Sequence, residues 1–173
     1  ERHGAVTRIR RACSEMLAFI EAALFLSREE DRTIYEGGPC TVSNVAEQLV
    51  ADLKGDIDAA GIELSTHVDT ALTVQAPESL VKIMLSNLLR NAIEHSHHGR
   101  IDINSDGHSL EIGDTGSGIA EADLPRIFDR SYTTKPGGTG LGLNLVKRIC
   151  DRYGWTIDIT SKAGAGTTVK LTF

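Results

Sequence analysis

The sequence predicts a two-layer α/β sandwich, with a mixed or largely antiparallel sheet covered by helices on one face, preceded by one long α-helix. Three observations carry this. The chain has 173 residues and is 40% hydrophobic, enough for one good core and an appended element. Segments with helical and with alternating apolar spacing are interleaved along it. Several alternating segments come in pairs joined by short glycine-containing turns, which is hairpin chemistry and therefore antiparallel pairing.

In chain order, Val6, Ile9, Cys13, Met16, Ile20, Ala23 and Ser27 fall at alternating steps of three and four, a heptad seam widened by Leu17 and Leu24. Residues 6–30 therefore read as one long helix that needs partner helices to cover its stripe. Glu36-Gly37-Gly38-Pro39 ends it and divides the chain into a helical unit, 1–36, and a second domain, 37–173. Residues 43–60 carry helical spacing in Val45, Leu49, Leu53 and Ile57, with Ser43 as cap and Gly61 as terminus. Residues 62–68 and 72–75 alternate as short strands. Pro77 opens a helix reaching Ser96, and residues 100–104 and 109–113 form a hairpin around Asp106-Gly107. Residues 124–128 form one turn and 141–153 a helix. Residues 156–160 and 167–173 make a last hairpin through Ala163-Gly164-Ala165-Gly166.

Composition narrows the function. Eighteen basic against 24 acidic residues give a formal charge of −6, which argues against binding along a nucleic-acid backbone. No apolar run is long enough to span a bilayer and no basic-then-apolar leader opens the sequence, so the chain is expected in the cytoplasm. Cys13, Cys40 and Cys150 lack C-x-x-C spacing, which suggests neither a disulfide framework nor a zinc site.

Three stretches carry chemistry. On the helix ESLVKIMLSNLLRNAIEHS, residues 78–96, Lys82, Ser86 and Arg90 form one polar stripe that can face water. Asn87, Asn91, Glu94 and His95 form another, spanning about 100° of the helix surface. Apolar residues on both sides keep the asparagine amides partly buried, where each needs a partner. An asparagine oxygen suits magnesium, which takes a few protein oxygens together with waters and phosphates, so Asn91 is the candidate ligand. Bonding to neighbouring loops is the plainer role for these amides, and structural or solvated roles are open to His95 and Glu94.

The second stretch, GDTGSGI at residues 113–119, ends an apparent strand. The Asp114 carboxylate accepts hydrogen bonds, which suits the exocyclic amine of adenine and disfavours the carbonyl of guanine. Gly116 and Gly118 let the backbone approach a flat base. A turn with a capping aspartate is the alternative.

The third is GGTGLGL, residues 137–143, reached through a long segment of little regular structure, a length typical of binding loops and lids. It fits neither the G-x-x-x-x-G-K-[ST] nor the G-x-G-x-x-G frame. Read alone, it is either a hinge or a cradle whose amides, at the positive end of the helix 141–153, meet phosphate oxygens. Arg130, Thr134 and Lys135 stand nearby to add charged or hydroxyl contacts, solvent exposure being their plainer role.

Taken in order, NLLRNAIEHS, DTGSGI, IFDRSYTT and GGTGLGL resemble the N, G1, F and G2 boxes of the catalytic ATP-binding domain of bacterial sensor histidine kinases. The likeness covers residues 38–173, and TTKPGGTGLGL is similar to the short-lid branch of that family. The resemblance implies the Bergerat ATP-binding fold, shared with gyrase-type, Hsp90-type and MutL-type ATPases, with ATP and Mg2+ as cofactors. By position, Asn91 would hold magnesium and Asp114 the adenine amine, while Gly116, Gly118 and Ile119 would line the base pocket. Gly138, Thr139, Gly140, Leu141, Gly142 and Leu143 would wrap the phosphates, and Phe128 would pack at the root of the lid. Asn87, His95, Arg130, Thr134 and Lys135 would be further nucleotide contacts. At Glu94 and His95 the chain departs from the lysine and aromatic residues often found there.

The helix of residues 6–30 resembles the second helix of the family's dimerisation and phosphotransfer hairpin. That implies a homodimer through the hairpin in the full protein, and the receiver domain of a response regulator as partner. It also implies an ATP-dependent protein-histidine kinase, cytoplasmic in this part, whose parent is either soluble or anchored in the inner membrane. His3, His67, His95, His97, His98 and His108 all lack the acceptor context of a histidine followed by Glu or Asp and then a Leu-Arg-x-Pro type sequence. The 173 residues are therefore expected to bind ATP without phosphorylating themselves. A Bergerat ATPase of chaperone or repair type would more often carry a glutamate just before the box asparagine, where Ser86 stands here. A noncatalytic nucleotide-sensing dimerisation module is opposed by the retention of Asn91, Asp114 and the glycine loop.

Overall fold

Ile101, Ile103, Leu110 and Ile112 are buried while Arg100 and Asn104 are exposed and Asp102 is half-buried, the period-two pattern of strands with one face turned to a core. The computed structural model describes Met16, Ile20 and residues 38–134 and 139–173. Its elements run in the order β1 (Pro39–Thr41), α1 (Val42–Ala59), β2 (Glu63–His67), β3 (Thr73–Gln75), α2 (Glu78–His95), β4 (Arg100–Ser105), β5 (Ser109–Asp114), a 3-10 turn (Leu124–Arg126), α3 (Gly142–Tyr153), β6 (Thr156–Lys162) and β7 (Gly166–Thr172).

Five strands form one sheet in the order β2-β4-β5-β7-β6. The β4/β5 and β6/β7 hairpins are antiparallel and meet through an antiparallel β5/β7 pairing, in which Gly113 lies opposite Thr168 and Asp114 opposite Thr167. Only β2 runs parallel to its neighbour, β4. Parallel neighbours need a crossover connection, and α2 supplies it. The mixed sheet expected from the hairpins is thus present. Leu49, Leu53, Met84, Leu88, Val146 and Ile149 of the three helices are buried with Ile101, Ile103, Leu110, Ile112, Ile157 and Leu171 of the sheet. The opposite face carries Ser65, Asp102, Asn104, Glu111 and Thr168 around a shallow polar hollow of about 460 Å³, which reaches the candidate site only at Asp114 and Thr115.

Local chemistry fixes the turns that matter. The Asp106 carboxylate accepts from the amides of His108 (2.9 Å) and Ser109 (2.7 Å) and from the Ser109 hydroxyl (3.0 Å), closing the β4/β5 hairpin. Those bonds, the His108 amide first, hold its pKa below the ordinary carboxylate value. Gly61, at φ +65°, follows the end of α1 as its terminating residue.

Some expectations are corrected. The strand expected at residues 72–75 does form, as β3, but apart from the main sheet: β3 pairs antiparallel with β1, a strand of three residues too short to show an alternation. Ser43 is not the cap of α1. The helix starts at Val42, whose amide donates to Leu72 O at 2.9 Å, so a tertiary contact takes the place of a side-chain cap and buries Ser43 inside the first turn. Pro77 occupies the N-cap position of α2 rather than its first turn. Cys40 and Cys150 are buried free thiols, and burial pushes Cys150 up to about 11.

The chain divides into two units, Glu1–Tyr35 and Glu36–Phe173. In the first, Met16 and Ile20 are helical and exposed, one turn apart on the heptad seam. The remainder of the expected helix 6–30 lies outside the described residues. Among the described residues no helix is long and apolar enough to cross a membrane.

Candidate nucleotide site

Helix α2 buries Leu80, Val81, Met84, Leu85, Leu88, Leu89 and Ala92, which turns Asn87, Asn91 and Glu94 to a half-buried flank and leaves His95 exposed at the end. Asn87 and Asn91 take different roles. The Asn87 side-chain amide donates to Ile83 O, one turn back, at 2.8 Å. Its oxygen faces the start of α3, where a Cβ on Gly142 would come within 2.7 Å of it. Glycine at 142 leaves the Asn87 oxygen in place against the first turn of α3. Asn91 makes no side-chain hydrogen bond among the described residues. A half-buried amide oxygen with no partner among the described residues, one turn along α2 from the Asn87 side chain that faces Gly142, fits magnesium, which completes its shell with waters and phosphate oxygens.

Asp114 ends β5, half-buried, and its Oδ1 accepts the Gly116 amide at 2.8 Å. Burial pushes its carboxyl above the usual value. The Gly116 and Thr167 amides, and the nearby His95 and Ser96, pull the other way without cancelling the effect. The loop beyond it is held by main chain on every side. Thr115 N–H donates to Arg100 O (3.0 Å), Ser117 N–H to His95 O (3.0 Å), and Gly164 N–H to Ser117 O (2.7 Å). Ile119 N–H donates to the Ser161 hydroxyl at 2.8 Å, which itself donates to Gly166 O at 2.9 Å. The space is fully used: a Cβ would lie 2.2 Å from His95 O at Gly116 and 2.0 Å from Lys162 O at Gly118, where φ is +63°. Only glycine fits these approaches.

The end expected to meet phosphates is built differently. Leu141 is the N-cap residue of α3, with no side-chain cap bond and no acidic residue in the first turn, so among the described residues no capping side chain accepts from the first amides of the helix. Such amides, with the helix dipole behind them, form a ready anion site. Asn144, in the first turn, donates from its side chain to Phe128 O at 2.8 Å and ties the loop before it to α3.

The structure therefore brings His95, Asp114, Gly116, Gly118 and Ile119 to one cluster, and Asn87 and Gly142 to another, with Asn91 on the same flank of α2. Gly140, Leu141 and Leu143 lead into or begin α3. Arg130, Thr134 and Thr139 are exposed. Lys135 and Gly138 lie outside the described residues.

Three contributors were not read from the sequence. Gly166, at φ +97°, packs so closely that a Cβ would lie 1.9 Å from Asp114 O. Ser161 and Asn144 complete the set. The second glycine of Ala163-Gly164-Ala165-Gly166 was the available signal for Gly166. A polar residue in the first turn of the most amphipathic helix was the signal for Asn144.

Residues 76–173 match the family model of histidine kinase-, DNA gyrase B- and HSP90-like ATPases. The chain belongs to this family. Among its relatives, sensor histidine kinase GraS of Staphylococcus haemolyticus (strain JCSC1435) is 37% identical over 124 residues, 66% of this chain and 36% of the relative. Sensor histidine kinase ZraS of Escherichia coli (strain K12) is 34% identical over 171 residues, 95% of this chain and 34% of the relative. The chain thus spans about a third of the length of these curated relatives. Among solved structures, the mycobacterial sensor histidine kinase MprB aligns with a TM-score of 0.68 at 23% identity, over 78% of this chain and 95% of that one. Full-length ShkA in complex with AMPPNP aligns with a TM-score of 0.73 at 23% identity, over 98% and 38%. At such identities the solved structures establish the fold. With the family match and the sequence relatives, the chain is an ATP-binding module of the sensor histidine kinase type, as its four boxes imply.

Proposed function

We propose that this module serves a histidine kinase that passes the γ-phosphoryl of magnesium-ATP to a histidine of its parent protein, for relay to an aspartate on the receiver domain of a response regulator. The observation that supports it most is the pairing of two ends. The half-buried Asp114 is an acceptor for an adenine amine, and the uncapped start of α3, beside Asn87 and Asn91, is a donor set for phosphates.

In this reading Asp114 accepts a hydrogen bond from the adenine N6 amine, and Gly116, Gly118 and Ile119 wall the base. The amides from Gly138 to Leu143 receive the phosphate oxygens, with Asn87, His95, Arg130, Thr134 and Lys135 as further contacts. Asn91 holds the magnesium ion, which when bound offsets charge on the phosphate oxygens. These groups act by holding the γ-phosphorus in line with the attacking imidazole nitrogen, so that its bond to the β–γ bridging oxygen breaks as the new N–P bond forms. The exposed Met16 and Ile20 accord with a homodimer formed through the helical hairpin. The module is placed in the cytoplasm, whether or not the parent is anchored in the inner membrane.

Titration calorimetry with magnesium-ATP tests the site. Asn91→Ala and Asp114→Asn each weaken binding sharply, the first only when magnesium is present and the second also for adenosine. Unchanged affinity in both variants would sink the assignment.

A further inference from the structure

A second polar cluster lies at the root of the phosphate loop, on residues given no role above. Asp123, at the N-cap position of the 3-10 turn, accepts the Tyr132 hydroxyl on Oδ1 at 2.6 Å. The Arg126 guanidinium stands 4.5 Å from the Tyr132 ring centre and pairs with Asp129 at 3.8 Å, while the Tyr132 amide donates to Asp129 O at 3.2 Å. The ring is thus held by a charge-assisted hydrogen bond at one end and a cation over its face. The Asp123 bond also pushes the phenol up from its ordinary value.

What the cluster holds is the neck of the loop. Ser131, next to Tyr132, has the left-handed φ of +65° that non-glycine residues seldom adopt, and its amide donates to Gly140 O at 3.1 Å. Gly140 answers with φ +63°, and a Cβ there would lie 2.5 Å from both the Ser131 carbonyl carbon and Tyr132 O. The backbone going into the loop and the backbone coming out are therefore in direct contact, two residues before α3 begins.

We propose that Tyr132 is a positioning residue for phosphoryl transfer: held by Asp123, it locks Ser131 against Gly140 and so sets where the amides at the start of α3 meet the triphosphate. This rests on the reading that these amides receive the phosphates.

The test is calorimetry of the 173-residue chain with magnesium-ATP and with adenosine, for the wild type, Tyr132→Phe, Asp123→Ala, Asp123→Asn and the Tyr132→Phe/Asp123→Ala double variant. The wild type binds ATP more tightly than adenosine. Tyr132→Phe and Asp123→Ala each lose about tenfold for ATP and leave adenosine unaltered. The double variant is no worse than either single one, because both remove the same bond. Asp123→Asn, which keeps an acceptor oxygen in place, retains most of the wild-type affinity. Tyr132→Phe binding ATP like the wild type, additive losses in the double variant, or an equal loss for adenosine would each overturn the proposal while leaving the cradle standing. A wild type that binds ATP no better than adenosine would remove the cradle and the proposal with it.

Discussion

The two ends of the candidate site hold their polar groups in place by opposite means. Around Asp114 the restraints are main chain to main chain: carbonyls of His95, Asp114 and Lys162 press on glycines 116, 166 and 118, and the amides of residues 115, 117 and 164 close the rest. Around the start of α3 one backbone contact, Ser131 on Gly140, is joined by side-chain restraints: Asn87 against Gly142, Asn144 on Phe128 O, and Tyr132 on Asp123. Backbone packed into a sheet cannot give way without breaking ladder hydrogen bonds, whereas a side chain can change rotamer. The base end is therefore fixed by the fold, and the phosphate end is adjustable.

The largest test of this contrast is Gly166→Ala. The added Cβ meets the Asp114 carbonyl in a backbone region that alanine avoids, so stability falls by about 2–4 kcal/mol in urea unfolding. Adenosine binding falls with it. A variant as stable as the wild type would mean that the base end is softer than its geometry implies.

Gly142→Ala has a smaller and different effect. Here the Cβ meets only the Asn87 side-chain oxygen, which can swing aside, and alanine favours the helix by up to about 1 kcal/mol. Stability is kept or slightly raised while ATP affinity drops about tenfold and adenosine affinity does not change. Loss of adenosine binding as well would show that the two ends are one rigid unit.

The smallest effect is on pH dependence. Asp114 is raised in the folded state, so its contribution to stability is complete below the ordinary carboxylate pKa and is lost as pH rises through the raised value. Asp114→Asn has no such loss. The thermal midpoint of the wild type relative to this variant therefore declines as pH rises from the ordinary carboxylate pKa through the raised one, and is flat above. A constant difference across that range would mean that the carboxylate is not held against a burial cost. The cost falls on the residue proposed to read adenine, where binding places selection above stability.

Most of the site was legible because its signals are local. The stripe of Asn87, Asn91, Glu94 and His95 follows from helical period alone, and the Asp106 turn and Gly61 terminus follow from turn chemistry. The strand of residues 39–41 and the clasp of Tyr132 on Asp123 were not legible. Three residues show no period, and a tyrosine nine positions from an aspartate has no pattern to mark it as a partner.

The sequence by itself determined which groups are available and on which face of each element they stand, since hydrophobic period is written residue by residue. Only the tertiary structure decided that β2 pairs parallel, that α1 is started by Leu72 O rather than by Ser43, and that Gly166, with Gly164 at the tip of its turn, seals the Asp114 loop. The reason is range. Gly166 and Asp114 lie some fifty positions apart, and a close approach of two backbones across that distance has no counterpart in local spacing.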